Sequence, residues 1–167
     1  MQRHDKFNLE TAIFPRRTYL AVVKAVPITT IDLIIRNHKN EILLGWRKNQ
    51  PAKNSWFLPG GRLLKNERVE DGLSRIYRAE LGVDLAFKQP KFLGVFELFF
   101  DTNFAGVKGI GTHNISLAYE IKIGSALSNA VLHTGQHSRF HWFTLKDLIK
   151  SPEVHKMVKA YFAQKKS

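Results

Sequence analysis

The chain has 167 residues and a mass of 19.2 kDa, enough for one domain with its own hydrophobic core and no disulfide or structural metal. It contains no cysteine, which excludes a disulfide framework, a thiolate zinc site and a cysteine nucleophile, and fits a reducing cytoplasm. Its 26 Lys and Arg against 14 Asp and Glu leave a net charge of +12, which favours anionic partners without choosing among nucleotides, nucleic acid and acidic lipid.

The N-terminal stretch MQRHDKFNLETAIFPRR has no apolar run like that of a secretory signal, and no segment approaches the ~20 apolar residues that span a bilayer. A soluble, cytoplasmic protein is expected, with residues 1–17 as a loosely ordered extension of a single domain over 1–167. TYLAVVKAV has helical spacing and is stopped by Pro27. ITTIDLIIRN and EILLGWR are β-rich runs joined through the polar turn HKN as a hairpin, and SWFLP is a third short strand. The Gly60-Gly61 pair is expected to break the chain. ERVEDGLSRIYRAELG then has helical periodicity, with Leu73, Ile76 and Tyr77 on one face and Gly82 as its stop. KFLGVFELFF and HNISLAYEIKI read as strands flanking the Gly-rich loop DTNFAGVKGIGT, which is long enough to cover a site. RFHWFT is a last strand, and LKDLIK with EVHKMVKAYFAQ supplies C-terminal helix. Basic residues are dense at Arg16-Arg17 and in KMVKAYFAQKKS but otherwise scattered, as on a solvated surface, so nucleic acid is not the expected partner.

The chemistry is concentrated between Gly61 and Val83. Gly61, five residues, Glu67, seven residues, Arg75 and then IYRAELGV follow a fixed spacing in a strand, loop and helix context. This resembles the Nudix box, G-x5-E-x7-R-E-U-x-E-E-x-G-U, through Gly61, Glu67, Arg75, Tyr77, Glu80, Gly82 and Val83. The resemblance implies a Nudix fold of class α/β, a mixed β-sheet sandwiched between helices. Ile76 and Ala79 stand where the box has glutamates. Positions 76, 79 and 80 are three and four residues apart and are expected to share a helix face, so only Glu80 remains of a three-carboxylate metal cluster. One carboxylate plus substrate oxygens suits one Mg2+ per subunit.

That pair of departures, together with PAKNSWFLPGGRLLKNERVEDGLSRIYRAELGV, FDTNFAG and the dipeptide QH, is similar to the GDP-mannose mannosyl hydrolase subfamily. The likeness runs from Thr18 to roughly Phe162. It implies Mg2+-dependent hydrolysis of a nucleoside diphosphate sugar by water attack on the anomeric carbon, giving GDP and an inverted hexose. It places Mg2+ on the Gly60 or Gly61 carbonyl, Glu80 and Gln136, with His137 as general base, a role suited to an imidazole of pKa ~6.5. It assigns Arg47, Arg62 and Arg75 to the diphosphate, where guanidinium forks suit phosphate oxygens. It puts Asp32 near the sugar, where a carboxylate can stabilise positive charge at the anomeric carbon. Family members are homodimers, and TYLAVVKAVPITT could serve an interface.

From the residues alone other roles stay open. His137 could be a surface loop residue. Arg75 could pair with Glu67 or Glu80 and shape the loop, and Arg47 and Arg62 could be solvated. Asp32, lone in an apolar run, either faces a site or is paired in the interior. Leu98 and Asn114 stand where the subfamily has histidine and tyrosine, at positions expected to contact sugar and diphosphate. Asn114 is therefore a substrate-binding candidate, His113 a possible substitute, and the hexose and base are left open. Two further functions are weighed: a Nudix pyrophosphohydrolase cutting a P–O bond with help from Glu67, and an inactive module that holds RNA or a nucleotide through its charge.

Overall fold

The computed structural model describes residues 15–82, 90–124 and 136–163. The first helix, α1 (Arg16–Ala25), starts after Pro15, whose fixed φ suits a helix entry, and ends two residues before Pro27. Arg16 and Arg17, expected within a loose extension, form its first turn. Residues 1–14 of that extension lie outside the described residues.

The long apolar run after Pro27 becomes β1 (Ile28–Arg36), followed by β2 (Ile42–Arg47). Asn37 organises the hairpin between them: its Oδ1 accepts the Lys39 and Glu41 N–H groups, each at 3.0 Å. The strand expected over SWFLP shrinks to β3 (Trp56–Phe57). Gly60-Gly61, expected to break the chain, instead lies in a short strand, β4 (Gly60–Arg62). It pairs antiparallel with β1 through Thr30–Arg62, Ile31–Gly61 and Asp32–Gly60. These residues have no β preference of their own, and their strand state comes from that pairing.

The helix α2 (Val69–Leu81) carries Glu70 and Asp71 in its first turn, where carboxylates complement the helix dipole. It ends at Gly82, whose left-handed φ of 69° suits a glycine cap and whose N–H reaches the Arg78 carbonyl. Next come β5 (Lys91–Phe100), β6 (Thr112–Lys122), β7 (His137–Phe143), α3 (Leu145–Lys150) and α4 (Lys156–Ala163).

Among the described residues the strands form one mixed sheet in the order β3-β2-β1-β6-β5, with β4 on β1 and β7 on β2. β1 runs parallel to β6 along its whole length, from Ile28–Asn114 to Arg36–Lys122. This central position explains why β1 reads as nearly continuous apolar sequence: both faces are covered. Ile31, Leu33 and Ile35 pack with Leu73, Ile76, Tyr77 and Leu81 of α2. On the opposite face Ile34 and Leu44 pack with Leu148, Val158 and Tyr161 of α3 and α4. The result is the expected helix, sheet, helix layering. No helix among the described residues is long and apolar enough to cross a membrane.

Candidate active site

A cavity of about 220 Å3 opens where β1, β4 and the end of β2 meet α1 and the 101–111 loop. Asp32, Arg47, Gly60, Gly61, Arg62, Asn114 and Gln136 all line it. Seven candidate residues dispersed over more than a hundred positions are thus brought together. Tyr19 of α1, Gln50, and Phe104 of the glycine-rich loop also line the cavity, none of them a site candidate from the sequence. Tyr19 and Phe104 contact each other with ring centroids 4.8 Å apart, and the Arg62 guanidinium lies 4.4 Å from the Tyr19 ring centre. Buried Asn103 fixes the loop that carries Phe104, donating to the Val107 and Ile110 carbonyls at 2.7 Å each.

Asp32 interrupts β1 on the face shared with α4. It is both buried and at the site: its Oδ2 accepts from Ser116 Oγ at 2.8 Å and from the Tyr161 hydroxyl. Burial pushes its carboxyl above the usual range, opposed by the two hydroxyl bonds and the Arg47 charge. Gly60 is required beside it, since a Cβ there would stand 2.5 Å from Asp32 Oδ1 and 2.6 Å from the Ile31 carbonyl oxygen.

Arg47 closes β2 with its guanidinium turned inward, donating to Gln136 Oε1 at 2.5 Å and to the Pro51 carbonyl at 3.3 Å. Burial lowers its pKa, while the Glu80 and Asp32 carboxylates favour its charge. The Gln136 oxygen expected to face a metal is therefore engaged by Arg47 in this conformation.

His137 is not a surface loop residue. It is the first residue of β7, its side chain is fully enclosed, and its Nδ1 lies 3.3 Å from Glu80 Oε2. Gly45 makes room for the ring, because a Cβ at that glycine would come within 2.5 Å of it. Glu80 is also buried on α2, and its Oε2 accepts no hydrogen bond among the described residues.

The helix face at positions 76, 79 and 80 is not a shared metal face in this chain. Ile76 is 2% exposed and belongs to the apolar cluster under β1, close enough that a Cβ at Gly61 would meet its Cγ1 at 3.2 Å. Ala79 is exposed. No group of three His, Cys, Asp or Glu side chains arranged for a metal occurs among the described residues.

Arg75 is committed to the loop. Its Nε and one terminal nitrogen hold the two Glu67 oxygens at 2.6 and 2.8 Å, and that same nitrogen donates to the Arg62 carbonyl at 2.9 Å. It does not line the cavity, so the loop-shaping role is the one its contacts support. Burial raises the Glu67 carboxyl, but the Arg75 fork and the Leu64 N–H outweigh this and hold it below its ordinary 4.5. A depressed folded pKa gives stability that is present above the unfolded value and is lost as pH falls through the folded one. Glu67→Gln is expected to cost about 2 kcal/mol at neutral pH and to flatten the loss of stability below about pH 4.5, read by urea unfolding across the acid range.

The two departures at the substrate end separate. Asn114 faces the cavity, whereas Leu98 is a core residue at 1% exposure. His113 points away from the cavity and stacks on Phe99 with centroids 4.3 Å apart, so it does not substitute for the missing histidine. Val83 lies outside the described residues.

A mixed sheet between helix layers, with a glycine strand leading through a Glu–Arg locked loop into a carboxylate-bearing helix, is a Nudix-type arrangement. The NUDIX domain model matches residues 26–164. The low-salt glycan biosynthesis protein Agl8 of Haloferax volcanii is 40% identical over 142 residues, spanning 84% of this chain and 86% of that protein. The chain belongs to the NUDIX family. Solved structures share the fold at lower identity. The MutT protein from Methanosarcina mazei Go1 has a TM-score of 0.63 at 19% identity, covering 83% of this chain and 92% of that one. The MutT NUDIX hydrolase from Burkholderia pseudomallei has a TM-score of 0.63 at 24%, covering 84% and 99%.

Proposed function

We propose that this Nudix hydrolase acts on a nucleoside diphosphate sugar of the GDP-mannose or GDP-glucose type by water attack on the anomeric carbon, releasing the nucleoside diphosphate and an inverted hexose. The observation that carries the reading is Ile76 packed beneath Gly61, which leaves Glu80 as the single α2 carboxylate beside the site. Metal-assisted attack on phosphorus gains from several clustered ions, whereas attack at carbon needs only the leaving diphosphate to be stabilised. The name of the Haloferax volcanii relative, a glycan biosynthesis protein, supports a sugar-bearing substrate.

One Mg2+ fits the donors present. The buried Glu80 Oε2 lacks a hydrogen bond among the described residues, and Gly60, Gly61 and Gln136 line the cavity. Bound there, the ion would offset charge on the departing diphosphate. Arg47 and Arg62 add fixed positive charge on the same wall, and Asp32 offers a carboxylate to positive charge growing on the sugar. His137 does not line the cavity in this conformation, its ring being enclosed behind Gly45, and must be uncovered to take the proton of the attacking water.

The P–O cleaving alternative relied on Glu67 as an extra ligand or base, and both of its oxygens are held by Arg75. Hydrolysis of GDP-mannose in isotopically labelled water separates the two chemistries. Label is expected in the hexose, and label in the nucleotide would overturn carbon attack.

A further inference from the structure

The only carboxylate proposed to face the sugar is held by residues far from it in sequence. Ser116 of β6 is fully buried, Tyr161 of α4 is 8% exposed, and both hydroxyls donate to the same Asp32 oxygen, Oδ2. Oδ1 is left beside Gly60, and Asp32 and Gly60 are both on the cavity wall. An apolar residue at position 32 would fit the cluster of Ile34, Leu44, Ala118 and Val158 on that face with no need for donors, and buried polar networks of this kind are not required for stability. The Tyr161 ring is already packed against Phe96 at 4.5 Å, so its hydroxyl is not needed to fill space.

From this arrangement we infer that Tyr161 and Ser116 are positioning residues, which fix the Asp32 carboxylate by one oxygen so that the other faces the anomeric carbon of the substrate. The inference rests on the proposed sugar-facing role of Asp32 and extends the site to the C-terminal helix. Two donors from different layers of the fold remove the rotational freedom of the carboxylate before substrate arrives. Transition-state charge is stabilised most by groups that need not reorganise. Loss of one donor therefore acts on the chemical step and leaves ground-state binding of the nucleotide nearly unchanged.

The test compares Tyr161→Phe and Ser116→Ala with the parent in two backgrounds, native and Asp32→Asn, using GDP-mannose with Mg2+. In the native background each variant is expected to lower kcat roughly tenfold with KM within about twofold. In the Asp32→Asn background neither is expected to lower it further, because the group they position is no longer charged. Equal losses in both backgrounds, or unchanged kcat in the native one, would overturn the inference. A crystal structure of Tyr161→Phe gives a readout independent of turnover. A rotated Asp32 side chain supports the positioning role, and an unmoved one overturns it. A parent that releases no nucleotide from any hexose conjugate counts against the proposed substrate alone, and the crystal structure still decides the positioning role.

Discussion

Glu80→Gln is expected to lower kcat roughly a thousandfold, about 4 kcal/mol of transition-state stabilisation. The reasoning starts from the helix. Of the three α2 positions that could present carboxylates to a diphosphate, one is filled by buried Ile76, one by exposed Ala79, and only Glu80 carries charge inward. An amide keeps the shape of the side chain but not the charge that a hard cation requires. The same change deprives His137 of the carboxylate against its Nδ1 and Arg47 of one of the two charges that favour its protonated form. The loss should appear in kcat at saturating Mg2+, and calorimetric titration of Mg2+ in the presence of GDP should lose its heat of binding. Turnover within tenfold of the parent, with Mg2+ binding intact, would remove Glu80 from the site. His137→Gln serves as the companion: it is expected to lower kcat while leaving the Mg2+ titration in place, since the proposed base is not a ligand.

The sequence was informative wherever the signal is local. The periodicity over α2, the stop at Gly82 and the strands β1, β2, β5 and β6 all follow from hydrophobic spacing, and the structure has them at or near the expected bounds. The spacing from Gly61 to Glu80 likewise identified a glycine on the cavity wall and the helix α2 packed behind it, which does not itself line the cavity. What the sequence hid is set by pairing between distant segments. β4 is a strand because β1 offers it partners, although two of its three residues are glycines. Arg47 meets Gln136 across 89 positions, and Tyr161 reaches Asp32 across 129. No local pattern encodes either contact. Arg75 shows the converse limit, since its residue type suits phosphate equally well, and only the position of Glu67 reveals which partner it serves. His137 was ambiguous for the same reason: a histidine in GQHSRF reads as loop until Gly45 is seen to open a slot for its ring.

Ile76→Glu tests the step on which the reaction assignment depends. The substitution restores a residue that the Nudix box pattern carries, yet it is expected to destabilise this protein by about 3–5 kcal/mol. The side chain at 76 sits in an apolar cluster with Leu73, Tyr77, Leu81 and Ile31, with Gly61 directly against it. A carboxylate there must either stay ionised without a partner or take up a proton, and both oppose folding near neutral pH. Mg2+ could offset the cost only if the new oxygens joined Glu80 around an ion, because a ligand stabilises a fold only through the affinity of the folded state. With position 79 turned to solvent and its side chain a methyl group, the donors for a second ion are missing. The thermal midpoint of Ile76→Glu should therefore fall well below that of the parent and stay there at saturating Mg2+, with no label appearing in the nucleotide product. Recovery of the midpoint on adding Mg2+, accompanied by cleavage at phosphorus, would mean that this helix face still accommodates an ion cluster and that the single-ion reading is wrong.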